Sequence, residues 1–449
     1  MNKVNLKKYL KRSTRRFSPP MTVVFSFFML ILIGTALLKL PFATTQTISW
    51  IDTLFTATSA VTVTGLVVVD TGTAFTLFGQ TIIIILMQLG GLGLMTAAVF
   101  IFFIFKRRIG MQQRNLVKES LNQGSSGGVI RLVRHVLFFS LSIELIGFTL
   151  LSTKWIPEFG VWKGAFYSLF HTVAAFNNAG FSLWSDSLSG YVGDPVINLT
   201  ITSMFVLGGI GFTVLLDVWN KKKFKSLTLH SKVMIVGTLI INAIAIISIF
   251  VLEYSNPQTL GSLSLGDKAW SAYFQGLTPR TAGFNSIDIT ALTAPSMLLT
   301  ILLMFIGAGS ASTGSGIKLS TFIILLLTTT TSLRGGEEVS LFGRRIRNSA
   351  VFRALTLTTI SFLLVFIAIF ILTITENGSF IDIVFEVVSA FGTVGLSTGL
   401  TPELSIIGRF VIMFVMFIGR IGPITIVSIL IARKGTSLIR YPQEDLFIG

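Results

Sequence analysis

Long apolar runs alternate with short polar segments along the whole chain. Several runs reach the ~20 residues that a helix needs to cross a ~30 Å hydrocarbon core, at residues 21–38, 81–105, 136–151, 233–252 and 354–373. Shorter apolar stretches such as residues 50–60 lie between them and cannot cross. The pattern predicts an all-α polytopic membrane protein.

One pattern recurs four times, with an aromatic residue ten positions before a glycine that an apolar residue follows. The pairs are Phe55 and Gly65, Phe170 and Gly180, Tyr273 and Gly283, and Phe385 and Gly395. A second glycine motif follows 24 to 28 residues later, at Gly90, Gly208, Gly307 and Gly419. A unit repeated four times around a glycine loop predicts a ring about one axis, and such a ring in a membrane is a pore.

Each repeat is predicted to run as a span, a re-entrant pore half-helix, a glycine loop and a second span. Eight transmembrane helices and four half-helices would then surround one central pore with pseudo-fourfold symmetry. The predicted repeats are residues 21–105, 132–218, 232–333 and 351–432, with cytoplasmic linkers at 106–131, 219–231 and 334–350 and cytoplasmic ends at 1–20 and 433–449. The second spans are expected at 75–105, 196–218, 295–331 and 406–432.

Irregular backbone at membrane depth survives only where it is buried in protein or lines a water-filled cavity. Four glycine loops at that depth therefore predict a wet axis. The half-helices run inward from the outside, so their partially negative C-terminal ends would point at a central cavity. That arrangement favours a cation.

The net charge is +16, and the distribution of the basic residues along the chain indicates the membrane topology. Of the 35 Lys and Arg residues, 27 fall in five segments between alternate spans, whereas the intervening segments carry acids such as Asp194 and Glu403. The positive-inside pattern places both termini in the cytoplasm and requires an even number of spans. The basic residues are expected to anchor the chain beside anionic membrane lipid, and no nucleic-acid partner is indicated.

Enzyme chemistry is not indicated. The chain has no cysteine, and its three histidines, His135, His171 and His230, share no ligand spacing. We expect no catalytic residues and no organic cofactor in this chain.

The loops aligned on their first glycines contain small, β-branched or glycine residues and no carboxylate. The candidate cation-coordinating residues are Val63, Thr64, Gly65, Asn178, Ala179, Gly180, Thr281, Ala282, Gly283, Thr393, Val394 and Gly395. Backbone carbonyls turned inward from such loops can replace the hydration shell of a monovalent cation. The acids Asp70, Asp186 and Asp288 follow three of the loops, and they either line the outer mouth or are ordinary solvated loop residues.

The second glycine motif differs between repeats. Gly90 and Gly208 fit packing glycines that let helices approach closely. The third copy is a run of small residues inside an apolar span, which predicts a broken helix. The run comprises Gly307, Ala308, Gly309, Ser310, Ala311, Ser312, Thr313, Gly314, Ser315 and Gly316.

Two arginines fall at membrane depth. Arg420 lies inside the fourth second span, where a charge costs ~2.5–3.5 kcal/mol or more and is a candidate for function. Carbonyls and hydroxyls of the 307–316 loop are its expected partners, because both motifs follow their first glycines by 24 residues. We interpret Arg280 as structural, with Glu386, Asp52 or Asp382 as partner.

Together the loop sequences resemble the Trk/Ktr/HKT superfamily of potassium transporters over essentially the whole chain, and within it the membrane subunit of bacterial Ktr systems. The sequences in question are Thr-Val-Thr-Gly-Leu, Phe-Asn-Asn-Ala-Gly-Phe, Thr-Pro-Arg-Thr-Ala-Gly-Phe and Phe-Gly-Thr-Val-Gly-Leu. The resemblance implies K⁺ uptake across the bacterial cell membrane, with K⁺ held by carbonyls of the four loops. Gly65 stands where members that favour Na⁺ tend to carry Ser, which points to K⁺.

The same resemblance implies regulation. In the family the 307–316 loop lies under the filter as a gate, and the residue matching Arg420 helps to hold it. A homodimer with one pore per protomer is implied, together with a separate cytoplasmic RCK-type ring that binds ATP or ADP. Stimulation by Na⁺ is implied as well, whereas the residues themselves leave a Na⁺-selective or K⁺/Na⁺-coupled carrier open.

Overall fold

The computed structural model describes residues 19–93, 129–423, 425 and 444, and this part of the chain is predominantly helical. The α-helices are α1 Pro19–Leu38, α2 Trp50–Thr62, α3 Thr71–Ala74, α4 Leu77–Leu92, α5 Val129–Phe159, α6 Val161–Phe176, α7 Pro195–Ile210, α8 Phe212–Lys221, α9 Leu229–Glu253, α10 Leu265–Leu277, α11 Ala294–Phe305, α12 Leu319–Leu333, α13 Asn348–Thr375, α14 Phe380–Gly392, α15 Leu400–Glu403 and α16 Ile406–Ile421. Strands β1 Ser340–Leu341 and β2 Arg344–Arg345 form an antiparallel hairpin between α12 and α13. Short 3₁₀ turns occupy Ser189–Tyr191 and Phe224–Ser226.

Four long apolar helices, α1, α5, α9 and α13, contain segments that can cross a membrane. Their spanning segments have mean hydropathies between 1.8 and 2.7. Only 22% to 33% of the most apolar 18-residue stretch of each helix is buried in the protein. The remaining apolar surface faces outward, as expected for helices in contact with lipid. The first span of each predicted repeat coincides with one of these helices.

Four shorter helices, α2, α6, α10 and α14, correspond to the predicted pore half-helices. They have 13 to 16 residues, which at 1.5 Å per residue is too short for a membrane crossing. Three begin with a serine whose Oγ accepts from the backbone N–H of an aspartate three residues later, at 3.1 to 3.3 Å. These serines are Ser49, Ser264 and Ser379. Such caps satisfy free N–H groups at the helix start, so the sequence dictates where these three half-helices begin.

The second helix of repeats two, three and four is interrupted, which corrects the prediction of continuous second spans in repeats two and four; in repeat one the described part of the second helix ends at a glycine. Helix α4 ends at Gly93 (φ +82°), α7 and α8 meet at Gly211 (φ +107°) with a bend of 93°, and α16 ends at Gly422 (φ +94°). Glycine alone adopts such φ values without a Cβ penalty, so each of these positions can end a helix. Most of residues 94–105 and 423–432 lies outside the described residues.

Consequently, the described residues contain four helices long enough to cross, or five when α7 and α8 count as one bent span. In the third repeat α11 and α12 are separated by the 307–316 loop, as predicted. The predicted ends 1–20 and 433–449 and the linker 106–131 fall almost wholly outside the described residues.

The second glycine motif packs the second helices against the pore helices. A Cβ on Gly90, Gly208 or Gly419 would overlap a pore-helix carbonyl oxygen. The three oxygens belong to Val61, Phe176 and Phe391, each four residues before the first glycine of its repeat. The packing interpretation is confirmed for Gly90 and Gly208, and it extends to Gly419.

The repeated aromatics anchor the half-helices in the core. Phe55, Phe170 and Phe385 are completely buried. Tyr273 is only partly buried, and its hydroxyl lies 2.9 Å from Thr202 Oγ1. The third repeat therefore has an aromatic residue at the same position, but this residue is less buried than in the other three repeats.

Candidate functional site

The four first glycines lie against one another. A Cβ built on Gly65 would lie 2.9 Å from Gly180 Cα, and one on Gly180 would lie 2.9 Å from Gly283 Cα. A Cβ on Gly283 would overlap the carbonyl oxygen of Val394, and one on Gly395 would lie 3.0 Å from Gly65 Cα. The contacts therefore run from the first loop through the fourth and back to the first. We call Gly65, Gly180, Gly283 and Gly395 the glycine ring.

All four loops share an unusual backbone. In each, the ring glycine and the residue two positions before it have positive φ. These preceding residues are Val63 (φ +55°), Asn178 (+58°), Thr281 (+69°) and Thr393 (+47°). Three are β-branched, for which a left-handed conformation is a genuine outlier. Each such residue costs about 1–3 kcal/mol and persists only where surrounding structure imposes it.

The carbonyl oxygens of the loops carry no donor from the described part of the chain. Among the described residues, no hydrogen bond ends at the carbonyl oxygen of Val63, Thr64, Asn178, Ala179, Thr281, Ala282, Thr393 or Val394. All eight residues are at most 1% exposed. Buried carbonyls are nearly always satisfied, so these eight are suited to bind a cation.

The pore helices support that electrostatic preference. Helices α2, α6 and α14 end three or four residues before their ring glycines, so their partially negative C-termini lie beside the ring. Ser59 Oγ accepts from Gly65 N at 3.0 Å and Ser389 Oγ from Gly395 N at 3.1 Å. Both serines stand six residues before their glycines. That spacing is visible in the sequence, although neither serine was among the predicted site residues.

The 307–316 loop packs against the ring loops. A Cβ on Gly316 would lie 3.4 Å from Gly392 Cα, and one on Gly314 would overlap Thr281 Oγ1. The loop is also tied to the α7–α8 break, since Gly309 N donates to Gly209 O at 2.7 Å and Phe212 N donates to Ala311 O at 2.9 Å.

Arg420 contacts that loop, as the spacing predicts. Its Nη1 donates to Thr313 O and lies 3.5 Å from Ser315 Oγ. Its Nη2 donates to Gly90 O and, at 2.9 Å, to Gly91 O. One guanidinium thus joins α16, the loop and the end of α4.

Two further side chains, neither of them predicted in this role, hold the loop. Lys318 Nζ donates to Gly314 O at 2.6 Å. Asn178 Oδ1 accepts from Thr313 Oγ1 at 2.7 Å. The position of Lys318, two residues after the 307–316 segment, was a usable signal in the sequence. The Asn178 contact crosses 135 positions and depends on the fold.

The predicted partners of Arg280 are wrong. Its Nη1 donates to Asn242 Oδ1 at 2.8 Å. Glu386 instead accepts from Thr401 Oγ1 at 2.6 Å and from Thr398 N at 3.2 Å, which holds the chain after the fourth loop in place. The other candidates are engaged elsewhere: Asp52 pairs with Arg409, and Asp382 accepts from Ser379.

Two of the three acids after the loops have local partners. Asp70 accepts from Thr73 N at 2.9 Å and Asp288 from Thr290 N at 2.9 Å. Asp186 is exposed. A role at an outer mouth stays a prediction for all three.

Outside the spans, Asp194 caps α7 and pairs with Lys154 at 2.7 Å. Burial alone would raise the pKa of Asp194, but hydrogen bonds from Lys154 and from the N–H groups of Ile197 and Val196 outweigh it. The pKa of Asp194 therefore lies below its usual range.

Apolar helices around a closed ring of four glycine loops define a polytopic membrane protein. The TrkH family model, described as cation transport protein, matches residues 4–437. The chain therefore belongs to the TrkH family of cation transport proteins, a family of transporters and not of enzymes.

Relatives align along nearly the full chain. It is 55% identical over 434 residues to "Ktr system potassium uptake protein B" of Bacillus subtilis, covering 97% of each chain. It is 40% identical over 450 residues to "Potassium/sodium uptake protein NtpJ" of Enterococcus hirae, covering 98% of this chain and 99% of that one.

The fold also matches a solved structure. The crystal structure of the potassium transporter TrkH from Vibrio parahaemolyticus aligns with a TM-score of 0.74 at 18% identity, over 93% of this chain and 86% of that one. At this identity the match speaks for the fold alone.

Proposed function

We propose that the chain is the ion-translocating subunit of a K⁺ uptake system in the bacterial cell membrane. The observation that carries this proposal is the set of eight buried carbonyl oxygens without hydrogen-bond donors, among the described residues, beside the glycine ring. Carbonyl oxygens at such a site can replace the water around K⁺. K⁺ is the transported substrate, and it moves down its electrochemical gradient.

Selectivity for K⁺ over Na⁺ is proposed on the same residues. All four loops carry glycine at the ring position, and a Cβ on Gly65 would overlap Ala179 O. The alternative is a Na⁺-selective or K⁺/Na⁺-coupled carrier, which the name of the Enterococcus relative favours.

The test is K⁺ uptake, with Na⁺ as competitor, in a bacterium stripped of its own K⁺ uptake systems. Wild-type protein should rescue growth at low external K⁺. Gly65→Ser should weaken that rescue or redirect uptake toward Na⁺. Rescue that is indifferent to Gly65→Ser would contradict a filter at this glycine, and uptake of Na⁺ alone would favour the alternative.

We also infer the membrane topology: four span–pore helix–span repeats around one pore, eight crossings in total, and both termini in the cytoplasm. The basic residues between alternate spans support it. Since the chain has no cysteine, a thiol reagent will label only a cysteine that has been introduced by substitution. A membrane-impermeant maleimide added to cells should label Asp186→Cys and leave Lys222→Cys unlabelled until the membrane is opened; the reverse pattern would refute the orientation.

We infer that the 307–316 loop and Arg420 form a barrier that must move for K⁺ to pass. The loop packs against Thr281 and Gly392, beside the ring, and Arg420 ties it to the end of α4. A cation in this position both blocks the path sterically and repels an approaching cation.

Regulation is proposed to come from outside the chain. A cytoplasmic RCK-type ring that binds ATP or ADP would control the barrier of a homodimeric membrane subunit, and Na⁺ would stimulate uptake. Resemblance supports these statements. Tagged protein co-expressed with such a ring should purify as a complex. Its K⁺ uptake in proteoliposomes should differ between ATP and ADP and should rise with Na⁺. A monomeric protein whose uptake does not respond to ATP, ADP or Na⁺ would contradict this proposal of regulation.

A further inference from the structure

Arg280 is a buried cation without a carboxylate partner among the described residues. The residue is 8% exposed, and Nη1 donates to Asn242 Oδ1 at 2.8 Å. Its Nε–H has no acceptor in the described part of the chain. Removing the partner of a buried ion is costly because it leaves an uncompensated charge, and Arg280 is in that state within the described protein.

A cavity lies beside this guanidinium. Its volume is about 20 Å³, which is enough for a water-sized particle. Its lining includes Arg280, Asn242, Thr238 and Gly209, with apolar walls from Phe205 and Leu277.

A second unpaired donor lines the same cavity. Thr238 is 5% exposed, and its Oγ1 has no partner among the described residues. Thr238 and Asn242 are four residues apart on α9, so they share one helix face. The cavity is therefore lined by residues with one full positive charge and two buried donors that have no acceptor among the described residues.

A buried guanidinium and a buried hydroxyl without acceptors are best satisfied by a hydrogen-bond acceptor that is also an anion. Water could accept both hydrogen bonds, but it would leave the positive charge of Arg280 uncompensated next to Thr281 of the third ring loop. A dianionic phosphate is too large and too highly charged for an apolar-walled site with a single cation.

We propose that this cavity binds one halide-sized monovalent anion, chloride in the cell, between the guanidinium of Arg280 and the hydroxyl of Thr238. The anion neutralises Arg280 and removes a positive potential from behind the third ring loop. Chloride is here a structural ligand of the transporter and is not transported.

The first test is direct observation. Crystals of the full-length protein grown with potassium bromide, measured at an energy above the bromine absorption edge, should show an anomalous peak within hydrogen-bond distance of Arg280 and Thr238. Absence of a peak there, while bromide appears at other sites, would overturn the proposal in favour of water.

The second test uses thermal stability of the purified full-length protein in detergent. Potassium bromide replaces potassium gluconate at constant K⁺ and ionic strength. Because a ligand that binds only the folded state stabilises it, the Tm should rise with bromide. Thr238→Val, which removes one donor and keeps the shape, should raise the half-saturating bromide concentration about fivefold.

Matched variants make the outcome decisive. Arg280→Gln should abolish the bromide response. Thr300→Val alters a buried threonine whose Oγ1 already donates to Ser296 O at 2.8 Å, and it should respond as wild type does. Equal half-saturation in Thr238→Val and wild type would reject the site. Neither readout depends on which ion the ring conducts, so a failed anion site and a failed transport assignment remain distinguishable.

Discussion

Asn178 and Thr313 connect the glycine ring to the loop packed against it: Thr313 Oγ1 donates to Asn178 Oδ1 at 2.7 Å. Asn178 Nδ2 in turn lies 3.2 Å from Thr281 Oγ1 of the next ring loop. One amide side chain therefore touches two ring loops and the proposed barrier. Movement of the loop has to break this bond or move the ring with it.

Removing that bond should loosen the barrier. Thr313→Val keeps the side-chain shape and deletes the donor, which weakens the closed position by about 1 kcal/mol. The rate of K⁺ uptake into proteoliposomes should then rise about fivefold. Ser312→Ala is the control, because Ser312 Oγ donates to Gly309 O within the same loop. An unchanged or slower rate in Thr313→Val would show that this bond does not hold the barrier shut.

Arg420 should have the larger effect. Arg420→Ala removes the link from α16 to the loop and to α4, together with a positive charge. Uptake should rise at least about tenfold, since hydrogen bonds to charged groups contribute about 1.5–3 kcal/mol each. Arg420→Lys retains the charge but not the fork that reaches two partners at once, and its rate should fall in between. If Arg420→Ala left the rate unchanged, the gate assignment would be wrong.

Substitutions at two glycines four residues apart, Gly395 and Gly399, distinguish the effect of backbone strain from the effect of contact within the glycine ring. Gly395 (φ +93°) and Gly399 (φ +88°) have nearly the same φ, but a Cβ on Gly395 would overlap Thr64 O, whereas one on Gly399 meets nothing within 4 Å. Both alanine variants lose about 1–2 kcal/mol to the left-handed backbone. Only Gly395→Ala should also abolish K⁺ uptake at equal membrane expression. Equal uptake by the two variants would argue against a tightly packed ring.

The ion pair of Asp194 with Lys154 predicts a pH-dependent contribution to stability. Because the folded pKa of Asp194 is lowered, its stabilisation is complete above the unfolded value of ~3.9 and is lost as pH falls through the folded pKa. Asn also caps helices well, so Asp194→Asn isolates the charge. It should lower the Tm by about 1–2 °C at pH 7.

The difference in Tm between wild type and Asp194→Asn should stay constant from about pH 8 to about pH 5 and close below about pH 4. Thermal unfolding of the purified protein, followed by tryptophan fluorescence across this range, measures it. Lys154→Gln should give a similar loss at pH 7. A gap that persists unchanged at about pH 3 would mean that geometry, not charge, is responsible.

Much of the fold follows from the sequence alone. The long apolar helices and the half-helices follow from run length, and the serine caps at Ser49, Ser264 and Ser379 follow from local hydrogen bonding, which depends on neighbours in sequence. The glycine pattern, repeated four times, identified the ring residues. Each loop needs its own glycine for a positive φ, and that need is visible in the local sequence of each repeat. Even the contact of Arg420 with the 307–316 loop could be predicted, because matched spacing implies matched depth.

Only the packed fold decided the rest. Glycine permits a helix to continue or to break: Gly90 and Gly208 lie inside their helices, whereas helices end at Gly93, Gly211 and Gly422. The partner of Arg280 is a distant amide and not a carboxylate, because Glu386 is engaged by the turn after its own loop. Likewise, the bond between Asn178 and Thr313 joins residues far apart in the chain. Local periodicity carries no information on such contacts; they exist only once the four loops and the broken helices are packed together.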